Sequence, residues 1–278
     1  MTYFGFLLTF IVPVIVFLAL LVWDDHRKGL KNPQALQGRP PIWTLIAHVI
    51  VALVYTTPWD NYLVATRVWW YDDNLVTGIL IGWVPIEEYT FFLLLPLLSG
   101  LWLIWLSRRL TPPSSAAPDK PRMRLIVTGM IGVIWLVSTV ILLSGYQPAA
   151  YMTLLLSWAL IPIMIQTIFG ADILWHHRTL IGVVIGTTVL YYAATDAIAI
   201  SQGTWTISPD QSLPLLIGGI LPIEEFVFFL MVTTLVTMGM VLVMARESQP
   251  RFQRWVEDRL ARPTTRQSSS DAAGNEAK

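Results

Sequence analysis

Seven apolar stretches, close to residues 3–23, 42–62, 78–106, 124–144, 149–169, 178–200 and 214–244, are each long enough to cross a bilayer, and none carries a lysine or arginine in its interior. The expected fold is therefore all-α, a polytopic bundle of seven transmembrane helices. No basic residue precedes the first stretch, no small-residue cleavage site ends it, and Arg27, Lys28 and Lys31 follow it. It is expected to stay as helix one rather than serve as a cleaved signal peptide.

Two of these stretches contain paired acids. Val84-Pro85-Ile86-Glu87-Glu88-Tyr89-Thr90-Phe91-Phe92 returns 137 positions later as Leu221-Pro222-Ile223-Glu224-Glu225-Phe226-Val227-Phe228-Phe229. An ionised carboxylate at mid-bilayer costs roughly 2.5 to 3.5 kcal/mol even on lenient scales, so these pairs are the first candidates for chemistry. The repeat extends further: Asp60 matches Asp196, Trp69 matches Trp205 and Gly82 matches Gly218, each at an offset of 136. We read an internal duplication of a three-helix unit, residues 1–110 and 146–245. A linker with one extra helix, residues 111–145, turns the chain so that both units share one orientation. In the remaining 246–278, Phe252, Trp255, Val256 and Leu260 lie at helical spacing among arginines, which predicts a short helix on the membrane surface. From about Pro263 the composition predicts disorder.

Composition agrees, with 55% apolar and 13% charged residues, so the lipid bilayer is the expected main solvent. Seventeen of the 18 basic residues fall on one side of the predicted spans, Arg67 alone on the other. By the positive-inside rule the N-terminus is expected outside and the C-terminus in the cytoplasm. A formal net charge of zero suggests no nucleic-acid partner, and the absence of cysteine excludes disulfides and thiolate metal sites.

At 29 and 31 residues, stretches 78–106 and 214–244 are too long for one straight span. Pro85 and Pro222 are each expected to occupy the first position of a helix, leaving 78–84 and 214–221 as short re-entrant or interfacial pieces. Glu87, Glu88, Glu224 and Glu225 then lie in first helical turns beside Asp60 and Asp196, at one depth, with few cations near. Repulsion and desolvation favour the protonated form and the helix N-terminus the anion, so an acid and a base can coexist. Aromatic residues crowd the same region; Trp59, Trp69, Phe91, Phe92, Trp205, Phe228 and Phe229 are candidates to stabilise a carbocation. His48, His176 and His177 read as structural, with no metal site. Asp24, Asp25 and Asp172 read as solvated acids at helix ends.

Pro58-Trp59-Asp60-Asn61-Tyr62 and the two Pro-Ile-Glu-Glu elements resemble the membrane-integral lycopene cyclases, found as heterodimers in actinobacteria and as fused domains in archaea and fungi. The likeness covers about residues 1–244 and is to the fused form, without the phytoene synthase domain of fungal versions. It implies closure of the linear ends of lycopene, or a related linear carotenoid, through a carbocation. No cofactor is implied, and other carotenoid enzymes are implied as partners. It gives acid and base roles to Glu87, Glu88, Glu224 and Glu225 and supporting roles to Asp60 and Asp196, without saying which acid donates. No Gly-x-Gly-x-x-Gly follows a strand, so no flavin site is expected. Three other readings compete: a cyclase of prenylated C50 carotenoids, a membrane prenyltransferase, which needs Asp-rich metal clusters, and a proton or cation transporter.

Overall fold

Thr2 opens the first helix by accepting the Gly5 amide on its hydroxyl at 3.1 Å. This helix, α1, runs Tyr3–Arg27 in the computed structural model, which describes residues 1–110 and 116–260. A π-helical segment, Leu7–Ile11, sits just before Pro13, which has no amide hydrogen to donate to the Thr9 carbonyl. The chain continues through α2 (Pro41–Ala65), β1 (Trp69–Tyr71), β2 (Leu80–Ile81), β3 (Val84–Pro85), α3 (Ile86–Ser107) and α4 (Pro121–Leu143). It then forms α5 (Ala150–His176), α6 (Arg178–Ser201), β4 (Trp205–Ile207), β5 (Leu216–Ile217), β6 (Leu221–Pro222), α7 (Ile223–Met244) and α8 (Ser248–Leu260).

Helices α1 to α7 are the seven expected spans. The two acidic helices, α3 and α7, are the most enclosed; α3 touches α1, α2, α6 and α7. Helix α4 packs chiefly on α5 and leaves Val133, Leu136 and Leu143 exposed, as α2 leaves Trp43 and Val54. Such faces suit lipid.

The segments before α3 and α7 are β-hairpins. Leu80 pairs with Pro85 and Ile81 with Val84, around Gly82 at φ +69°. In the second hairpin Leu216 pairs with Pro222 and Ile217 with Leu221, and its turn holds two left-handed glycines, Gly218 and Gly219. That turn is one residue longer, which changes the repeat offset from 136 to 137. Pro85 and Pro222 end strands and sit at the N-cap, not at the first helical position, with ψ of 152° and 141°. Hairpin pairing satisfies backbone groups that a bare re-entrant strand would leave open.

Strands β1 and β4 join the halves, antiparallel, with Trp69 opposite Ile207, Trp70 opposite Thr206 and Tyr71 opposite Trp205. The register is symmetric about the equivalent residues Trp70 and Thr206.

At the other end of the bundle, two acids expected to be solvated are buried. Asp25 bonds Arg109 at 2.7 Å and Arg108 at 3.3 Å, and Asp172 bonds Arg251 at 2.7 Å and lies 3.6 Å from Arg124. Their partners are far away in sequence, so each acid reads there as a lone loop charge. Asp24 meets the expectation, in an exposed pair with Lys28. Burial, with His176 adjacent, lowers His177 to about 4. His48 bonds the Thr44 carbonyl at 2.8 Å. Helix α8 carries exposed Phe252 and Trp255. The side chain of Leu260 and the tail from Pro263 lie outside the described residues.

Candidate active site

The first turns of α3 and α7 meet at a cavity of about 30 Å³, room for about two waters. The first half contributes Tyr3, Trp69, Tyr71, Glu88 and Phe91; the second contributes Tyr151, Asp196, Trp205, Ile207, Glu225, Phe228 and Phe229. Adjacent helical residues project about 100° apart, and only one member of each Glu-Glu pair lines this space. Glu88 and Glu225 face the cavity, with Phe91 and Phe228 one turn further along.

Glu87 and Glu224 point elsewhere and brace the loops before the hairpins. Glu87 accepts the Thr77 amide at 2.6 Å and Glu224 accepts the Leu213 amide at 2.7 Å. These matched bonds span equivalent positions of the two halves.

Phenols hold the inner pair. Tyr3 donates to Glu88 Oε2 at 2.5 Å, Tyr71 donates to the same oxygen at 3.0 Å, and Tyr151 donates to Glu225 Oε1 at 2.7 Å. Burial, with the Glu88 charge beside it, pushes the Tyr71 phenol well above its ordinary value, so it remains a donor. The Trp205 indole donates to Asp196 at 3.0 Å, whereas the Trp69 indole donates to the Tyr71 hydroxyl at 3.1 Å. Asp60 is fully buried within electrostatic reach of Glu88, and neither of its oxygens has a hydrogen-bond partner among the described residues. Among the described residues, none of these six carboxyls is ion-paired to a cation.

Of the aromatics expected to face a cation, Trp69, Phe91, Trp205, Phe228 and Phe229 line the cavity. Trp59 lies one layer behind, stacked on Phe228 at 6.0 Å and on Trp158 at 4.4 Å. Phe92 packs with Val84 and Tyr89 in a separate cluster, because it sits on the flank of α3 that carries the hairpin. That hairpin is pinned: Asn61 accepts the Trp83 amide at 2.9 Å and donates to the Tyr89 hydroxyl at 2.9 Å, and Tyr89 donates to the Ile81 carbonyl at 2.8 Å. Ala197 and Phe226 stand at the equivalent positions of the second half.

Tyr3 and Tyr151 bear no mark of their roles in the sequence. They are equivalent, since each amide also bonds a matching carbonyl, Leu75 for Tyr3 and Gln211 for Tyr151. Their offset is 148, not 136, because the connection between α1 and α2 is longer than that between α5 and α6. Aligning the two halves with a gap at that connection would have exposed them.

An apolar groove of about 390 Å³ adjoins the cavity, lined by Ile200, Pro209, Leu216 and Pro222 among others, and shares Trp205 and Ile207 with it as a common wall.

Comparison with known proteins gives one consistent result. The family model described as lycopene cyclase matches residues 30–106, the segment that contains Asp60 and Glu88. Two strains of Halobacterium salinarum have a lycopene beta-cyclase 35% identical to this chain over 193 residues, 69% of this chain and 78% of theirs. A bifunctional lycopene cyclase/phytoene synthase of Sporisorium reilianum is 33% identical over 200 residues, covering 69% of this chain and 29% of that protein. No solved structure gives a significant match.

Proposed function

Since the chain belongs to the lycopene cyclase family and is a lycopene cyclase of carotenoid biosynthesis, we propose that the cavity between α3 and α7 closes the ends of lycopene, with Glu88 and Glu225 as the working carboxyls. The observation that carries this is the pairing of those two acids across one aromatic cavity, held by phenols rather than cations. A phenol leaves the carboxyl proton free to be given or taken, where an arginine would hold the anion permanently.

The reaction is a non-redox isomerisation. One carboxylic acid protonates the terminal double bond, the resulting tertiary cation is attacked by an internal alkene, and a carboxylate removes a neighbouring proton to set the ring double bond. The faces of Trp69, Phe91, Trp205, Phe228 and Phe229 stabilise the cation. Glu87 and Glu224 hold the loops, and Asp60 and Asp196 set the charge around the inner pair. A substrate end enters from the apolar groove past Trp205 and Ile207, which must move to widen so small a cavity. The names of the Halobacterium relatives support a β ring.

For topology, we read the arginine-rich end, with Arg27, Arg108, Arg124 and Arg251, as cytoplasmic and the cavity end as outer. Residues 1–110 and 146–245 are two units of like orientation joined by 111–145. The symmetric β1–β4 register and the matched Tyr–Glu and Glu–amide bonds support this division. Because the chain has no cysteine, single cysteines placed at either end and labelled from outside would test the topology.

For the chemistry, the test is pigment analysis of a lycopene-accumulating bacterial host expressing the chain. Cyclic carotene is expected from the parent and uncyclised lycopene from Glu88→Gln and from Glu225→Gln. Full cyclisation by both variants would overturn the role given to the pair.

A further inference from the structure

The two halves of the cavity match at most positions and differ where a proton has to be placed. Tyr3 and Tyr151 are equivalent and each serves the glutamate of its own half. Tyr71 has Ile207 as its equivalent, at the offset of 136, and both line the cavity. Glu88 therefore receives two phenolic hydrogen bonds and Glu225 one. Hydrogen bonds to an ionised acceptor are about twice as strong as neutral ones, so the additional donor favours the charge on Glu88.

The indoles reinforce the difference. In the first half, Trp69 donates to Tyr71, which donates to Glu88, a chain in which each bond polarises the next. That leaves Asp60 with no donor, and a carboxyl buried without one stays neutral, adding no repulsion beside Glu88. In the second half, Trp205 donates to one oxygen of Asp196 and the other has no partner among the described residues, so Asp196 and Glu225 receive one donor each. Glu225 and Asp196 lie within electrostatic reach of each other, and two adjacent carboxylates resist joint ionisation, so this pair retains a proton. Of the four acids, Glu88 alone gathers two donors.

We infer that the order of proton transfer is built into the fold: Glu225 gives the proton, Glu88 takes one, and Tyr71 is the positioning residue that fixes this direction. The inference rests on the reading of Glu88 and Glu225 as the working pair. The Glu225 proton forms a new C–H bond with the electron pair of the terminal double bond, leaving a tertiary cation and the Glu225 carboxylate. The internal alkene pair then closes the ring. Glu88 removes the neighbouring proton, and that C–H pair becomes the ring double bond. Return of the proton from Glu88 to Glu225 restores the site with nothing gained or lost. Asp196 is within electrostatic reach of both.

Donor and acceptor are separable because the ring type is decided only at the last step, by which proton the base reaches. Pigments from the full chain and four variants, resolved by chromatography into ring isomers, give the test. Glu88→Asp and Tyr71→Phe should raise the fraction of minor ring isomers severalfold. Glu225→Asp and Tyr151→Phe should lower total cyclisation with the isomer fraction unchanged. The fraction is read only from molecules that turned over, so a loss of folded protein does not move it. Isomer fractions that shift in the Glu225→Asp and Tyr151→Phe variants instead, or in none of the four, overturn the order. Full cyclisation by Glu88→Gln and Glu225→Gln would instead overturn the underlying pair assignment.

Discussion

At one end of the bundle Asp25 lies between Arg108 and Arg109, and Asp172 between Arg124 and Arg251; at the other, Glu88 and Glu225 share a cavity with phenol hydroxyls as their donors. All four acids are buried to a similar degree. Their partners differ. An arginine cannot give up its proton, so the acids beside it are locked as anions and tie helices together. A phenol stabilises a carboxylate without neutralising it, and the proton stays mobile.

Changing the two ends separately should break different properties. The largest effect is expected from Glu225→Gln, which removes a proton donor and should cost about 100-fold to 10,000-fold in cyclisation, measured as pigment per folded enzyme, with little change in thermal denaturation. Next is Asp172→Asn, which leaves Arg251 and Arg124 with only the exposed Asp119 as ion-pair partner; a loss of about 1.5 to 3 kcal/mol is expected, read as earlier denaturation in detergent, while turnover per folded molecule is retained. Glu87→Gln keeps an acceptor for the Thr77 amide, so a cost of about 1 kcal/mol and near-parental cyclisation are expected, in contrast to Glu88→Gln next to it. Should Glu87→Gln abolish cyclisation while Glu88→Gln spares it, the outer and inner roles have been exchanged. Lys28→Ala removes an exposed pair with Asp24 and should shift stability by no more than about 0.5 kcal/mol.

The spans and the acidic pairs were legible in the sequence because each rests on a local rule: a run of apolar residues, or an acid where lipid should be. The split between Glu87 and Glu88 was half legible. Helical geometry says that they diverge, but the hairpin decides which one turns inward. The hairpins themselves were hidden, since Leu80-Ile81 and Val84-Pro85 are as apolar as the helix they precede. Asp25 was misread because its arginines lie 83 and 84 positions away. Tyr3 and Tyr151 escaped because the unequal connections move them out of the common offset. Contacts set by folding at long range leave little trace in a single chain.

The strand pair that closes the cavity has a consequence for origin. Its register is centred on equivalent residues, so a lone first half could lay Trp69–Tyr71 against the same strand of a second copy, Tyr71 facing Trp69 and Trp70 facing Trp70. Such a homodimer would hold two identical glutamates, each with two phenols, and neither would be marked as donor. Fusion into one gene would free the second strand to carry Ile207 where the first carries Tyr71. Divergence at that one site would turn a symmetric ancestor into an enzyme with a direction.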